Sequence, residues 1–196
     1  WTTAALVIAV IVAAMIPLAL STGKSEVTPP QASELTMRQP LANAFGDRDF
    51  WLLTVGFLAC GFQLAFIGTH MPAYLADNGL SPSVATTALG LIALTNIAGT
   101  YLFGVWGTRW LRKTLTVWIY LGRAAAILML LWLPLSSWTV YAFAAVMGFL
   151  WLGTVPLTNG MIGQIFGMRY VSTLFGFVFL SHQVGSFLGV WLGGWL

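Results

Sequence analysis

The sequence predicts an all-α membrane protein with six transmembrane helices, and three observations predict it. Charged residues are only 7% and apolar residues 59% of the 196 positions, whereas roughly a quarter of an ordinary soluble domain is charged. Six runs, at residues 1–20, 50–75, 84–106, 115–133, 138–161 and 171–196, are almost wholly apolar and meet the ~20 residues that a membrane helix needs. The basic residues outside these runs all fall on one side once the runs are threaded alternately through a bilayer.

Taken in order, run 1–20 opens at Trp1 with no basic region before it and no small-residue cleavage site after it, so it reads as a span and not as a signal peptide. Residues 21–49 hold Pro29, Pro30 and Pro40 and seven of the thirteen charges, and read as a linker with a short interfacial helix near residues 34–45. In the second run Gln63 and His70 are seven residues apart and share a face. Pro72 has no N–H for the carbonyl of Gly68, which predicts a kinked helix with an open acceptor beside His70. In the third run Asn96 and Thr100 are one turn apart. In the fourth, Arg123 is about ten residues, roughly 15 Å, from either end, too deep for its head to reach water easily. It must face protein, water or a cluster of carbonyls, as a structural group or as the cation for a substrate anion.

The fifth run carries Thr154, Pro156, Thr158 and Asn159 and predicts a bent helix with polar markers. In the sixth, Ser181, His182 and Gln183 point in different directions, while Gly185, Gly189 and Gly193 form a smooth stripe suited to helix packing. Trp51, Trp106, Trp110 and Trp138 stand near span ends, where indole rings anchor at the membrane surface. The connections are drawn at residues 77–83, 107–113, 134–137 and 163–170.

Lys24, Arg38, Arg48, Arg109, Arg112, Lys113 and Arg169 lie on the side of the linker, and the other side has no Lys or Arg and one acid, Asp77. By the positive-inside rule the linker is cytoplasmic. The net charge of +3 therefore belongs to membrane topology and not to nucleic-acid binding. The lone Cys60 excludes an internal disulfide or a thiolate metal cluster and reads as a small packing residue. No P-loop and no metal-ligand cluster occurs, so no cofactor or metal is expected.

The motifs add a resemblance. Gly104-Val-Trp-Gly-Thr-Arg109-Trp-Leu-Arg112-Lys113, between the third and fourth runs, resembles the major facilitator loop signature, a Gly followed by Asp-Arg and further basic residues. Thr108 stands where the Asp is expected. Phe50-Trp51-Leu52-Leu53 is similar to the start of helix seven of that superfamily, and Trp1 to the start of helix six. The stretches Gly68-Thr-His70-Met-Pro72, Gly153-Thr-Val-Pro156, Gln164-Ile-Phe-Gly167 and Phe179-Leu-Ser181-His182-Gln183 resemble bacterial members near the monocarboxylate porter and oxalate–formate antiporter branch. In those porters an acid or amide is followed four residues later by an Arg and then a Gly. The matching positions here are Asn96, Thr100 and Gly104, so the substrate-holding Arg is absent.

The resemblance implies a partial major facilitator fold: residues 1–20 the last helix of an N-terminal bundle, 21–49 the central cytoplasmic linker, and 50–196 a C-terminal bundle truncated before its last helix. It implies alternating-access transport of a small organic solute, an organic anion with proton or exchange coupling among the candidates, in a bacterial inner membrane. The partners are the solute, the lipid bilayer and the missing N-terminal bundle. The substrate-binding candidates are Gln63, His70, Asn96, Thr100, Asn159, His182 and Gln183. Pro72, Gly104, Arg109, Arg112, Arg123, Gly185 and Gly189 are assigned structural or gating roles. No enzymatic activity is expected. The rival readings are a non-transporting sensor or scaffold on the same fold and an intramembrane hydrolase. The latter lacks a G-x-S-x-G motif.

Overall fold

The computed structural model describes residues 38–195. The run at 1–20 and most of the linker lie outside the described residues. Among the described residues seven α-helices follow one another: α1 Arg38–Phe45, α2 Arg48–Asp77, α3 Pro82–Arg109, α4 Arg112–Trp132, α5 Ser137–Phe149, α6 Thr154–Phe166 and α7 Val171–Gly193, with a 3₁₀ turn at Met168–Tyr170 before α7. Among the described residues five helical segments are long and apolar enough to cross a membrane: α2, α3, α4, α5 with α6 as one interrupted span, and the 3₁₀ turn with α7.

Short signals set the boundaries. Asp47 caps α2 by accepting from the N–H of Asp49 at 2.7 Å, and the indole of Trp51 donates to the carbonyl of Phe45 at 2.9 Å, closing the end of α1. Ser136 caps α5 through the N–H of Thr139 at 3.2 Å. Pro82 opens α3, where a missing N–H costs nothing. Gly167, at φ 87°, makes the sharp turn into the 3₁₀ segment.

Two of the expected connections are shorter than drawn. α3 runs on through Gly107 to Arg109, and only Trp110 and Leu111 separate it from α4. α6 continues through Gly163 to Phe166. Hydropathy marks where a chain leaves the hydrocarbon, and a helix with a polar last turn continues past that level: Trp110 still donates to the carbonyl of Trp106 at 2.8 Å. α2 passes through Pro72 as one helix, and the interruption falls in the fifth span instead.

Two close helix pairs build the bundle, α2 along α7 and α3 along α5. Both are made possible by glycines. A side chain at Gly61 would run into the carbonyl of His182, one at Gly185 into that of Leu58, and one at Gly189 into that of Phe62. Gly99 and Gly148 do the same at the α3–α5 crossing, against Phe149 and against Thr95 and Ile92. Small residues let backbones approach where lipid supplies no hydrophobic drive for helices to pair. Cys60, Leu64, Met71, Ala88, Phe143 and Met147 fill the space between these pairs. The outward faces carry Leu94, Ile97, Trp118, Leu131 and Phe187, apolar surface suited to lipid or to further protein. Trp51, Trp110 and Trp138 are likewise exposed.

Candidate functional site at a broken membrane helix

The span formed by α5 and α6 stops being helical at residues 150–153. Non-helical backbone at membrane depth is tolerated only where its polar groups find partners inside the protein or in a cavity, and here those partners can be named. The carbonyls of Leu150 and Trp151 accept from Arg123. The N–H of Leu152 donates to Oδ1 of Asn96 at 3.1 Å. The carbonyl of Leu152 would belong to the N–H of residue 156, which is proline, and it accepts from the N–H of Val155 at 3.0 Å instead. Pro156 thus stands in the first turn of α6, where proline is tolerated.

Arg123 is 0% exposed. Its Nε donates to Leu150 O at 3.1 Å, and its Nη2 to Leu150 O and Trp151 O, both at 2.7 Å. Nη1 donates to the sulfur of Cys60 at 3.2 Å, and the guanidinium lies 5.4 Å from the ring centre of Tyr120. Four of its five N–H groups are therefore in use. The charge stands at the C-terminal end of α5, where the helix dipole is negative, and that field favours a cation. The described acids Asp47, Asp49 and Asp77 sit at the ends of α2, so carbonyls and not a carboxylate hold the charge.

Around this group several of the described spans contribute a polar atom. Tyr120 donates to the carbonyl of Gly56 at 2.6 Å. The Cys60 sulfur is 3.7 Å from Oγ1 of Thr154, and the backbone of His182 packs against the adjacent Gly61. Thr100 donates to Oδ1 of Asn96 at 3.1 Å, so both residues of that pair are engaged at the break. Cys60, Tyr120 and Thr154 were not singled out as site residues in the sequence. The available signal was that Tyr120 and Arg123 are three residues apart on one helix face.

Gln63 and His70 lie elsewhere. They line a cavity of about 420 Å³ between α2, α4 and α5, together with Phe62, Phe66, Leu130 and Phe143. Nε2 of His70 is 3.1 Å from the carbonyl of Val190 on α7, and Gly193 leaves the room for its ring. The structure therefore brings Gln63 and His70 to one cavity and brings Asn96, Thr100 and Arg123 together at the break, and none of the second group lines that cavity. His182 stacks on Phe179 at 5.3 Å between ring centres. Ser186 bonds the carbonyl of His182 at 2.9 Å. Ser181 donates to Thr54 O at 2.8 Å and Val178 O at 2.6 Å and so is not aligned on His182 as a nucleophile would be. Asn159 and Gln183 are exposed on α6 and α7.

In the loop motif, Nη1 of Arg112 donates to the carbonyl of Gly160 on α6 at 3.2 Å, while Arg109 is exposed. The tight approach falls at Gly107, where an added carbon would meet Leu157 at 2.7 Å, rather than at Gly104, whose nearest neighbour, Pro156, is at 3.9 Å.

Five apolar spans among the described residues, with their buried polar groups satisfied inward, define a multi-pass integral membrane protein. Residues 1–190 match the sequence model of the Major Facilitator Superfamily, and the chain belongs to that superfamily. It is 26% identical to an uncharacterised transporter of this type from Escherichia coli, YhjX, over 74% of this chain and 37% of the relative. It is 25% identical to a second, YcxA of Bacillus subtilis, over 85% of this chain and 43% of the relative. It is 27% identical to monocarboxylate transporter 12-B of Danio rerio, over 76% of this chain and 32% of the relative. The chain thus spans less than half the length of these relatives.

Proposed function

We propose that the complete protein is a secondary carrier of a small organic solute that works by alternating access. In this reading residues 1–20 close an N-terminal bundle, 21–49 form the cytoplasmic linker, and 50–196 supply one wall of the pathway. The observation that carries it is the break at residues 150–153, a membrane helix split into two halves whose loose backbone is held by Arg123 and Asn96. Discontinuous helices near the midplane are the usual setting of carrier sites. The polar side chains left free to meet a solute are Gln63, Asn159 and Gln183, with the exposed edges of His70 and His182. An organic anion, moved with a proton or by exchange, is the solute class favoured by the likeness to a relative named as a monocarboxylate transporter. Arg123 is spent on carbonyls and Thr100 is neutral, so within the described spans, away from their ends, only His70 or His182 could supply its cation, and any other would come from the rest of the protein.

The test is uptake of radiolabelled small mono- and dicarboxylates by proteoliposomes holding the complete protein, with and without an imposed pH gradient. Saturable uptake is expected. No flux of any solute from a protein shown to be folded would leave the sensor or scaffold reading in its place. Uptake unchanged by both His70→Ala and His182→Ala would remove the histidines from the mechanism.

A further inference from the structure

Helix α4 carries two arginines, Arg112 and Arg123, eleven residues apart. That spacing is about 16 Å of axial rise and brings them within about 20° of one another around the helix. Both reach the same neighbouring span, and both end on its backbone. Arg123 holds Leu150 O and Trp151 O, where α5 ends. Arg112 holds Gly160 O, in the second turn of α6. Each grip has a glycine beside it. A carbon added at Gly122 would meet Leu150 at 2.8 Å, and one at Gly160 would meet the guanidinium of Arg112 at 2.6 Å. The glycines thus bring the two spans close enough for side chains from one to reach the carbonyls of the other.

We infer that α4 is a splint: Arg123 grips the break where α5 ends, Arg112 grips α6 beyond it, and together they hold α5 and α6 as one rigid body. The break is then a fixed irregularity and not a hinge, and conformational change moves α4, α5 and α6 together. Arg112 and Arg123 are positioning residues in this arrangement. Both act through backbone carbonyls, and Arg123 has no exposed edge for a solute. The break has two further side-chain ties, Thr154 to Cys60 at 3.7 Å and Asn96 to the N–H of Leu152 at 3.1 Å, and α3 packs along α5 as well.

The experiment measures the distance across the break by pulsed electron spin resonance. Labels go on Val146→Cys in α5 and Ile165→Cys in α6, both on exposed positions, in the complete protein stripped of its other exposed cysteines. The native brace gives one narrow distance, the same at acidic and at alkaline pH. Arg123→Met and Gly160→Ala each add a second population, and Arg112→Lys, which keeps a donor within reach of Gly160, does not. Two native distances, or a single distance in both disrupted variants, would overturn the splint. Should Arg123→Met not be recovered as a monodisperse protein, Gly160→Ala and Arg112→Gln decide by the same criterion. The distance is read whether or not any solute crosses, so failure of the splint and failure of the transport reading are told apart.

Discussion

The guanidinium of Arg123 meets the carbonyl oxygen of Leu150 twice, through Nε at 3.1 Å and Nη2 at 2.7 Å, across 27 residues of sequence. A planar fork suits this task. Two N–H groups converge on one oxygen while Nη2 also reaches Trp151, and an ammonium group could not take both oxygens with the same fixed geometry. The contact removes two difficulties together, a buried cation with no carboxylate beside it and backbone acceptors loosened by the break. Each alone would be costly in a membrane interior.

Asn96 serves the donor side of the same break. Asn96→Leu leaves the N–H of Leu152 without its acceptor and is expected to cost about 1–3 kcal/mol. Asn96→Asp keeps an oxygen in place but brings a charge, and the fold is expected to prefer its protonated form. Thermal unfolding of the two variants in detergent near neutral pH and near pH 5 checks this. Leu should be equally damaging at both, whereas Asp should recover at the lower pH.

At the α2–α7 seam the expected effects of alanine differ in sign with position. At Gly185 the added carbon runs into the carbonyl of Leu58, and Gly185→Ala should destabilise by about 1–3 kcal/mol. At Gly176, on the same helix, nothing lies within 4 Å, and Gly176→Ala should be neutral or should stabilise by about 0.5–1 kcal/mol. Equal losses at both sites in a detergent melt would contradict the packing.

Cys60 is 1% exposed and its sulfur accepts from Arg123. A membrane-permeant maleimide should leave it unlabelled in the native protein and label it fully after denaturation in a version of the complete chain with any other cysteine removed. Rapid native labelling would mean that the core opens at this depth.

The five described spans were legible in the sequence because each is a long apolar run, and the short helix expected near residues 34–45 is described over Arg38–Phe45. The break was only half legible. Thr154, Pro156 and Thr158 mark the fifth span as bent, but residues 149–152, Phe-Leu-Trp-Leu, are as apolar as any helix interior. Pro156 is a local cause of the interruption, but the partners that hold the loosened backbone are distant: Arg123, 27 residues back, and Asn96, 56 residues back. The same distance explains the ambiguity of Asn96. A polar side chain inside a span needs a partner whether it serves a solute or the fold, and sequence spacing does not say which.

The most direct test of the account is the stability of the complete protein with Arg123 replaced by Lys and by Met. Arg123→Met removes both carbonyl partners and should cost about 2–4 kcal/mol, seen as a clear fall in unfolding temperature in detergent. Arg123→Lys should fall between Met and native, since one ammonium can satisfy one carbonyl and not the fork. A Met variant as stable as the native protein would contradict the claim that Arg123 holds the broken span together.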